Sequence, residues 1–298
     1  MLFKFLKRAV AVAGIASAAC AAPQQSAAPT ARPALWEVSD PDTTIYLFGT
    51  IHLLPENYPW RTPAIDKAIA KSDSLVVETI VDQQNPKDLI AALTRLGYSY
   101  GLPPIADRVP PAKRALLETA IAKSGLPRPI FDRMETWAAA FTLLGIQYKS
   151  LGLEGEHGVE QTLRDTFGAQ GKGVGQLETN AEQLGFFDTL PEDAQRALLE
   201  GSIDAPQSMH ADFSEMLNGW ARGDVEAIAQ TFNRDLAGSP ALRAALLERR
   251  NANWSNWIER RLAQPGTIMI AVGAGHLAGS DSVQSLLKHD GYRIKRIQ

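Results

Sequence analysis

The chain has 298 residues, 45% of them hydrophobic and 21% charged, with a formal net charge of −3. That balance suits a globular protein with a sizeable core and excludes a fibrous or wholly disordered one. No lysine- and arginine-rich block is present to track a phosphate backbone, so nucleic acid is not expected as a partner.

Residues 1–21 read as an export signal. Lys4, Lys7 and Arg8 precede an apolar run from Ala9 to Ala19, and small residues follow. The run is too short to span a bilayer. Cys20 is the only cysteine. It is either a lipid-acceptor site, although Ser17 stands where an aliphatic residue is usual, or part of an Ala19-Cys20-Ala21 cleavage triplet. The expected location is the periplasm, free or membrane-attached through a Cys20 lipid. Either way no cysteine remains in the folded part for a disulfide or a thiolate nucleophile. Residues 22–34, rich in Ala, Pro, Gln and Ser, read as a flexible tether. The folded domain is expected over 35–298.

Leu35 to Val38 is the first expected strand, and Asp40-Pro41-Asp42 a turn. Thr43 to Phe48 is β-branched and aromatic, a buried strand that Gly49 is expected to end. A helix over Pro63–Ser72 and a strand over Ser74–Glu78 follow. Asn85-Pro86 has the form of an N-cap with proline at the first helical position, opening a helix to Leu96. Helices are expected over Pro111–Ser124, closed by Gly125, over Phe131–Lys149, and from Gly158 to Phe167. Gly173–Glu178 reads as a short strand. A long helix is expected from Ser239-Pro240 to Ala263. Thr267–Val272 is a continuous apolar run, the mark of a strand covered on both faces. A helix over Ser282–His289 and a strand over Tyr292–Ile297 complete the chain. The order predicts an α/β fold: a central mixed sheet formed by the N- and C-terminal strands, with a large helical insertion. No repeat of solenoid period is present.

Two segments share one design. Ile45 to His52 and Ile268 to His276 are each an apolar strand leading into glycine and, three residues later, histidine. Such a histidine lies at the carboxyl edge of the sheet, where open α/β folds bind ligands. Glu78 closes a third strand, and a carboxylate there needs a partner or a metal. His52, His276 and Glu78 therefore form a candidate ligand set for a divalent metal with an open water position.

These residues resemble the TraB/GumN family, whose relatives include the Tiki metalloproteases. The resemblance runs from about Leu35 to Ile297. It is carried by Leu35-Trp36-Glu37-Val38, Phe48-Gly49-Thr50-Ile51-His52-Leu53, Val76-Val77-Glu78, Gln176-Leu177-Glu178-Thr179, Glu182-Gln183, Glu248 to Trp254 and Val272 to Gly279. It implies a peptidase-like hydrolase dependent on manganese, cobalt or zinc, acting on a peptide or small-molecule substrate. It also implies a site built from His52, His276 and Glu78 with the Arg250–Asn251 pair. Where many members read Gly-Ile-Asp, this chain has Gly158-Val159-Glu160.

Plainer readings stand beside these. Each histidine could be a strand-end residue bonded to backbone, and Glu78 an ion-pair partner. Arg250 and Asn251 are expected either to position substrate or to hold a structural ion pair. Glu178 and Glu182, four apart, suit a solvated helix face as well as a site. Trp254 and Trp257 suit core packing. No Gly-x-Ser-x-Gly elbow, Gly-x-Gly-x-x-Gly loop or His-Glu-x-x-His motif is present. A metal-independent esterase-like hydrolase and a non-enzymatic small-ligand or haem-binding protein remain the alternatives.

Overall fold

The computed structural model describes residues 31–81, 85–153, 157–203 and 206–298. The stretch expected to be a signal segment, with Cys20, and most of the expected tether lie outside the described residues. Ala31 and Ala34 are buried, and Arg32 donates its backbone N–H to the Ala221 carbonyl at 2.6 Å. Residues expected to belong to the tether are thus packed ahead of Leu35.

Six strands form one mixed sheet in the order β4-β3-β5-β2-β1-β6. They are β1 (Leu35–Ser39), β2 (Thr43–Thr50), β3 (Ser74–Val77), β4 (Gly173–Gln176), β5 (Gly266–Gly273) and β6 (Ile294–Arg296). The four strands β2, β5, β3 and β4 run parallel, and β1 is antiparallel to both β2 and β6. The central pair comes from opposite ends of the sequence. Among the described residues between β3 and β5 the elements are helices, apart from the edge strand β4. The expected α/β architecture with a large helical insertion is the one observed.

The period of two along the strands sorts side chains into two cores. Tyr46, Phe48, Leu75, Val77, Met269 and Ala271 face one side, under the helices Pro63–Lys71 and Val159–Ala169. Ile45, Leu47, Val76, Ile268, Ile270 and Val272 face the other, against Trp254, Ile258 and Leu262 of the helix Arg249–Leu262. A third core, around Trp137, Phe131 and Leu199, lies within the insertion.

Several boundaries differ from expectation. Gly49 does not end β2, which continues to Thr50. Its role is close approach: a Cβ there would sit 3.2 Å from the Ala274 backbone. Pro86 is itself the cap of the helix Lys87–Leu96, which starts one residue later than the Asn85-Pro86 reading implies. The helix expected over Phe131–Lys149 is two, Arg128–Arg133 and Thr136–Ser150. They are split because Met134 pairs with Tyr98, and Glu135 donates its N–H to the Gly97 carbonyl. The long helix after Ser239 contains a π-helical stretch, Ala244–Glu248, directly before Arg249–Leu262. Such irregular turns are frequent at functional sites.

Candidate functional site

Register brings the site together. In the β2–β5 pair Thr50 lies opposite Gly273, and in the β3–β5 pair Val77 lies opposite Ala271. Glu78, one residue past Val77, therefore emerges beside Gly273, and His52 follows Thr50 on the other side. Gly273 has no side chain to fill the space. A Cβ there would come 3.1 Å from Glu78 Oε1, 3.3 Å from His52 Nε2 and 3.7 Å from His276 Cδ2. His276 arrives on the short turn Ala274–Leu277.

Arg250 is the hub beneath this space. It and its two carboxylate partners have side chains only 7% exposed. Its Nη2 donates to Glu78 Oε2 at 2.6 Å and to Glu178 Oε2 at 2.8 Å, and its Nε donates to Glu178 Oε1 at 3.0 Å. Buried charges require pairing of this kind. Trp254 lies against the guanidinium, 4.7 Å from its carbon to the ring centre, and donates Nε1–H to Glu178 Oε1 at 3.0 Å. Burial pushes the Glu178 carboxyl up, against the pull of Arg250. For Glu78, burial works the same way. There it is outweighed by His276, Arg250 and His52 and by the Gly273 N–H at 2.6 Å, so the carboxyl is pulled down to about 2.

The tautomer of His276 follows from its neighbours. Arg250 Nη1 lies 3.1 Å from His276 Nε2, and arginine can only donate, so Nε2 accepts. Nδ1 then carries the proton and donates to Asn251 Oδ1 at 2.6 Å. Asn251 Nδ2 in turn donates to the Asp281 carbonyl at 2.8 Å, which fixes the amide. Burial, reinforced by Arg250, drives the His276 pKa down to about 3, so the ring is neutral at physiological pH.

His52 is in the opposite state. Its Nδ1 lies 2.7 Å from Glu160 Oε1, and Thr50 Oγ1 donates to the same oxygen. The Glu160 charge raises the His52 pKa to about 9. The ring is 62% exposed, so solvent and salt moderate that pull. His52 Nε2 lies 4.0 Å from Glu78 Oε1, and His276 Nε2 lies 3.8 Å from the same atom.

The five sequence candidates, His52, Glu78, Arg250, Asn251 and His276, thus meet in one place. The donors of Arg250 and the amide of Asn251 are committed to protein partners, which makes them holders of Glu78 and His276. Glu178 belongs to the same network, whereas Glu182 caps its own helix through Thr179. Trp254 is a core residue, and it also packs on His276 with ring centres 4.4 Å apart. Glu160 is the residue that sequence reasoning left unplaced. Its signal is the position equivalent to aspartate in the Gly-Ile-Asp pattern, and its longer side chain reaches His52.

The donor chemistry fits a divalent ion. Each imidazole is oriented through Nδ1 by a side-chain oxygen and turns Nε2 toward Glu78, an arrangement common around metal-bound histidine. Among the described residues no three such side chains are drawn together tightly enough to be a metal site as they stand. His276 Nε2 would have to release Arg250 to take part. A cavity of 330 Å³ opens over Glu78 and His52, with Glu160, Gln161, Arg164 and Gln183 on its walls.

The family model described as "TraB/PrgY/gumN family" matches residues 34–296. The chain is 24% identical over 247 residues to a protein of Escherichia coli (strain K12) named "Uncharacterized protein YbaP", covering 82% of this chain and 87% of that one. A protein of Shigella flexneri with the same name matches equally. No solved structure matches.

Proposed function

Since the chain belongs to the TraB/PrgY/gumN family over residues 34–296, we propose that it is a metal-dependent hydrolase that cleaves an amide bond at the Glu78 cavity. One observation carries this reading. Two histidines with oriented rings and an ionised carboxylate face one another above a glycine that leaves the space clear.

In this reading His52, His276 and Glu78 hold the ion, which would supply Lewis acidity toward a carbonyl and an acidified water. The protein's own contributions follow from the geometry. Arg250 keeps Glu78 ionised and in place. Asn251 holds His276 in the tautomer that leaves Nε2 unprotonated. Glu160 holds the proton on His52 Nδ1 at the open side of the cavity. An ion captured by His52 must displace a proton from a ring whose pKa is raised to about 9, so uptake strengthens as pH rises. The substrate is a peptide or another small amide. Export to the periplasm remains part of the proposal. Among the described residues no helix is long and apolar enough to cross a membrane.

A metal-independent hydrolase is a second reading, favoured by the Arg250 Nη1 contact that already occupies His276 Nε2. His52 would then be the general base, oriented by Glu160, and activity would climb with pH until that ring loses its proton near 9.

The test is peptide hydrolysis by the purified protein, treated with chelator and resupplied with manganese, cobalt or zinc. Activity that disappears and returns, and is absent in His52→Ala and His276→Ala, supports the metal reading. Hydrolysis indifferent to chelator selects the second reading, and wild-type activity in both alanine variants rejects the site.

A further inference from the structure

The two acids on the walls of the Glu78 cavity already have cationic partners. Glu78 is paired with Arg250 at 2.6 Å, and Glu160 with His52 at 2.7 Å. Arg164 lines the same cavity, on the helix Val159–Ala169 one turn beyond Glu160. Among the described residues it has no carboxylate at ion-pair distance, and its one side-chain partner is neutral: Nη2 donates to Gln161 Oε1. Gln161 is itself held by its Nε2 donating to Asp165 Oδ1 at 2.8 Å. The guanidinium is thus half-buried, oriented by a neutral amide and without a carboxylate bonded to it among the described residues. Its remaining N–H groups suit the two-pronged bonding that arginine makes with a carboxylate.

We infer that Arg164 anchors a carboxylate on the substrate, so that the cavity selects peptides or amides bearing a free acid near the bond to be cleaved. This rests on reading the cavity as the hydrolytic centre. The site is also compact: at 330 Å³ it lies near the lower end of the roughly 300–1,000 Å³ range of ligand pockets. That size suits the end of a chain better than a long stretch of it, and a C-terminal carboxylate is the acid such an end supplies. Arg164 is a specificity residue in this arrangement. It lies outside the Arg250 network, so its replacement leaves the buried charges paired.

The experiment follows binding to the full chain by NMR titration at low ionic strength. N-acetylglycine, N-acetylglycinamide and inorganic phosphate are added in turn to wild type, Arg164→Gln and Arg164→Lys. Wild type should bind N-acetylglycine in preference to its amide, and Arg164→Gln should weaken that binding about tenfold, the lower end for loss of a charge-assisted contact. Arg164→Lys should recover part of it. Equal binding of acid and amide, an unchanged Arg164→Gln, or binding of phosphate alone would each overturn the inference. In hydrolysis, Arg164→Gln should raise KM about tenfold for a peptide with a free C-terminus while kcat changes less than about twofold. An amidated peptide with an acidic side chain should lose the same factor only if that side chain supplies the carboxylate. If the wild type binds the acid selectively but hydrolyses nothing, the hydrolase reading fails and the Arg164 anchor stands.

Discussion

Replacing Arg250 with methionine tests the buried network most directly. Methionine keeps much of the stem volume and removes the charge. Glu78 and Glu178 then lose every contact to the guanidinium, the closest at 2.6 and 2.8 Å, while their side chains stay 7% exposed. Removing one partner of a buried pair costs about 3–5 kcal/mol. Proton uptake limits the damage: neutralising a carboxyl of ordinary pKa 4.5 at pH 7 costs about 3.5 kcal/mol. Arg250→Met should therefore lose about 3–5 kcal/mol at pH 7, and the loss should depend on pH in a definite direction. In the variant the two folded-state carboxyl pKa values rise above the unfolded value, so its stability falls as pH climbs through them. In the wild type Glu78 is depressed to about 2, so its contribution is present above 4.5 and fades as pH falls toward 2. The gap between the two proteins should narrow from pH 7 to pH 4. Urea unfolding followed by far-UV circular dichroism at pH 7, 5.5 and 4 measures it. A gap under about 1 kcal/mol at pH 7, or one that is the same at pH 4, would refute the charge network as described.

Further outcomes follow from the same geometry. Gly273→Ala places a methyl 3.1 Å from Glu78 Oε1 and 3.3 Å from His52 Nε2. It should cost about 1–3 kcal/mol through overpacking, and calorimetric titration with manganese, cobalt or zinc should show weakened uptake; unchanged affinity would remove this space as the ion's place. In metal-free protein, NMR titration should find His52 with a pKa above 6.5, and Glu160→Gln should bring it back down. The His52 contribution to stability is fully present below pH 6.5 and is lost as pH rises toward 9, so the Glu160→Gln deficit should shrink at alkaline pH. Trp220 donates Nε1–H to the buried Gly49 carbonyl at 2.8 Å. Trp220→Phe leaves that carbonyl unpaired and should cost about 1–3 kcal/mol in chemical denaturation; a neutral result would mean another donor takes over.

The strands, the helix stop at Gly125 and most helix positions were legible because each rests on local rules. A β-branched and aromatic run marked β2, a continuous apolar run marked β5, and glycine at 125 closed its helix in the left-handed conformation. The pairing of His52, His276 and Glu78 was legible too, because matching strand–Gly-x-x-His segments can meet only if their strands are neighbours. The helix break at Met134 and Glu135 was not, since it is imposed by backbone partners at Gly97 and Tyr98 and by Arg108 bonding the Met134 carbonyl at 2.6 Å.

What the sequence alone determined, then, is the strand inventory, the α/β class and the residue types at the carboxyl edge. Only the tertiary structure decided what those residues do. Register places Val77 level with Ala271 and Thr50 level with Gly273. That alignment makes Arg250 a buried counter-ion, keeps His276 neutral and His52 charged, and recruits Glu160. Protonation states are set by burial and by charges a few ångströms away, and such distances exist only once segments remote in the chain have packed together.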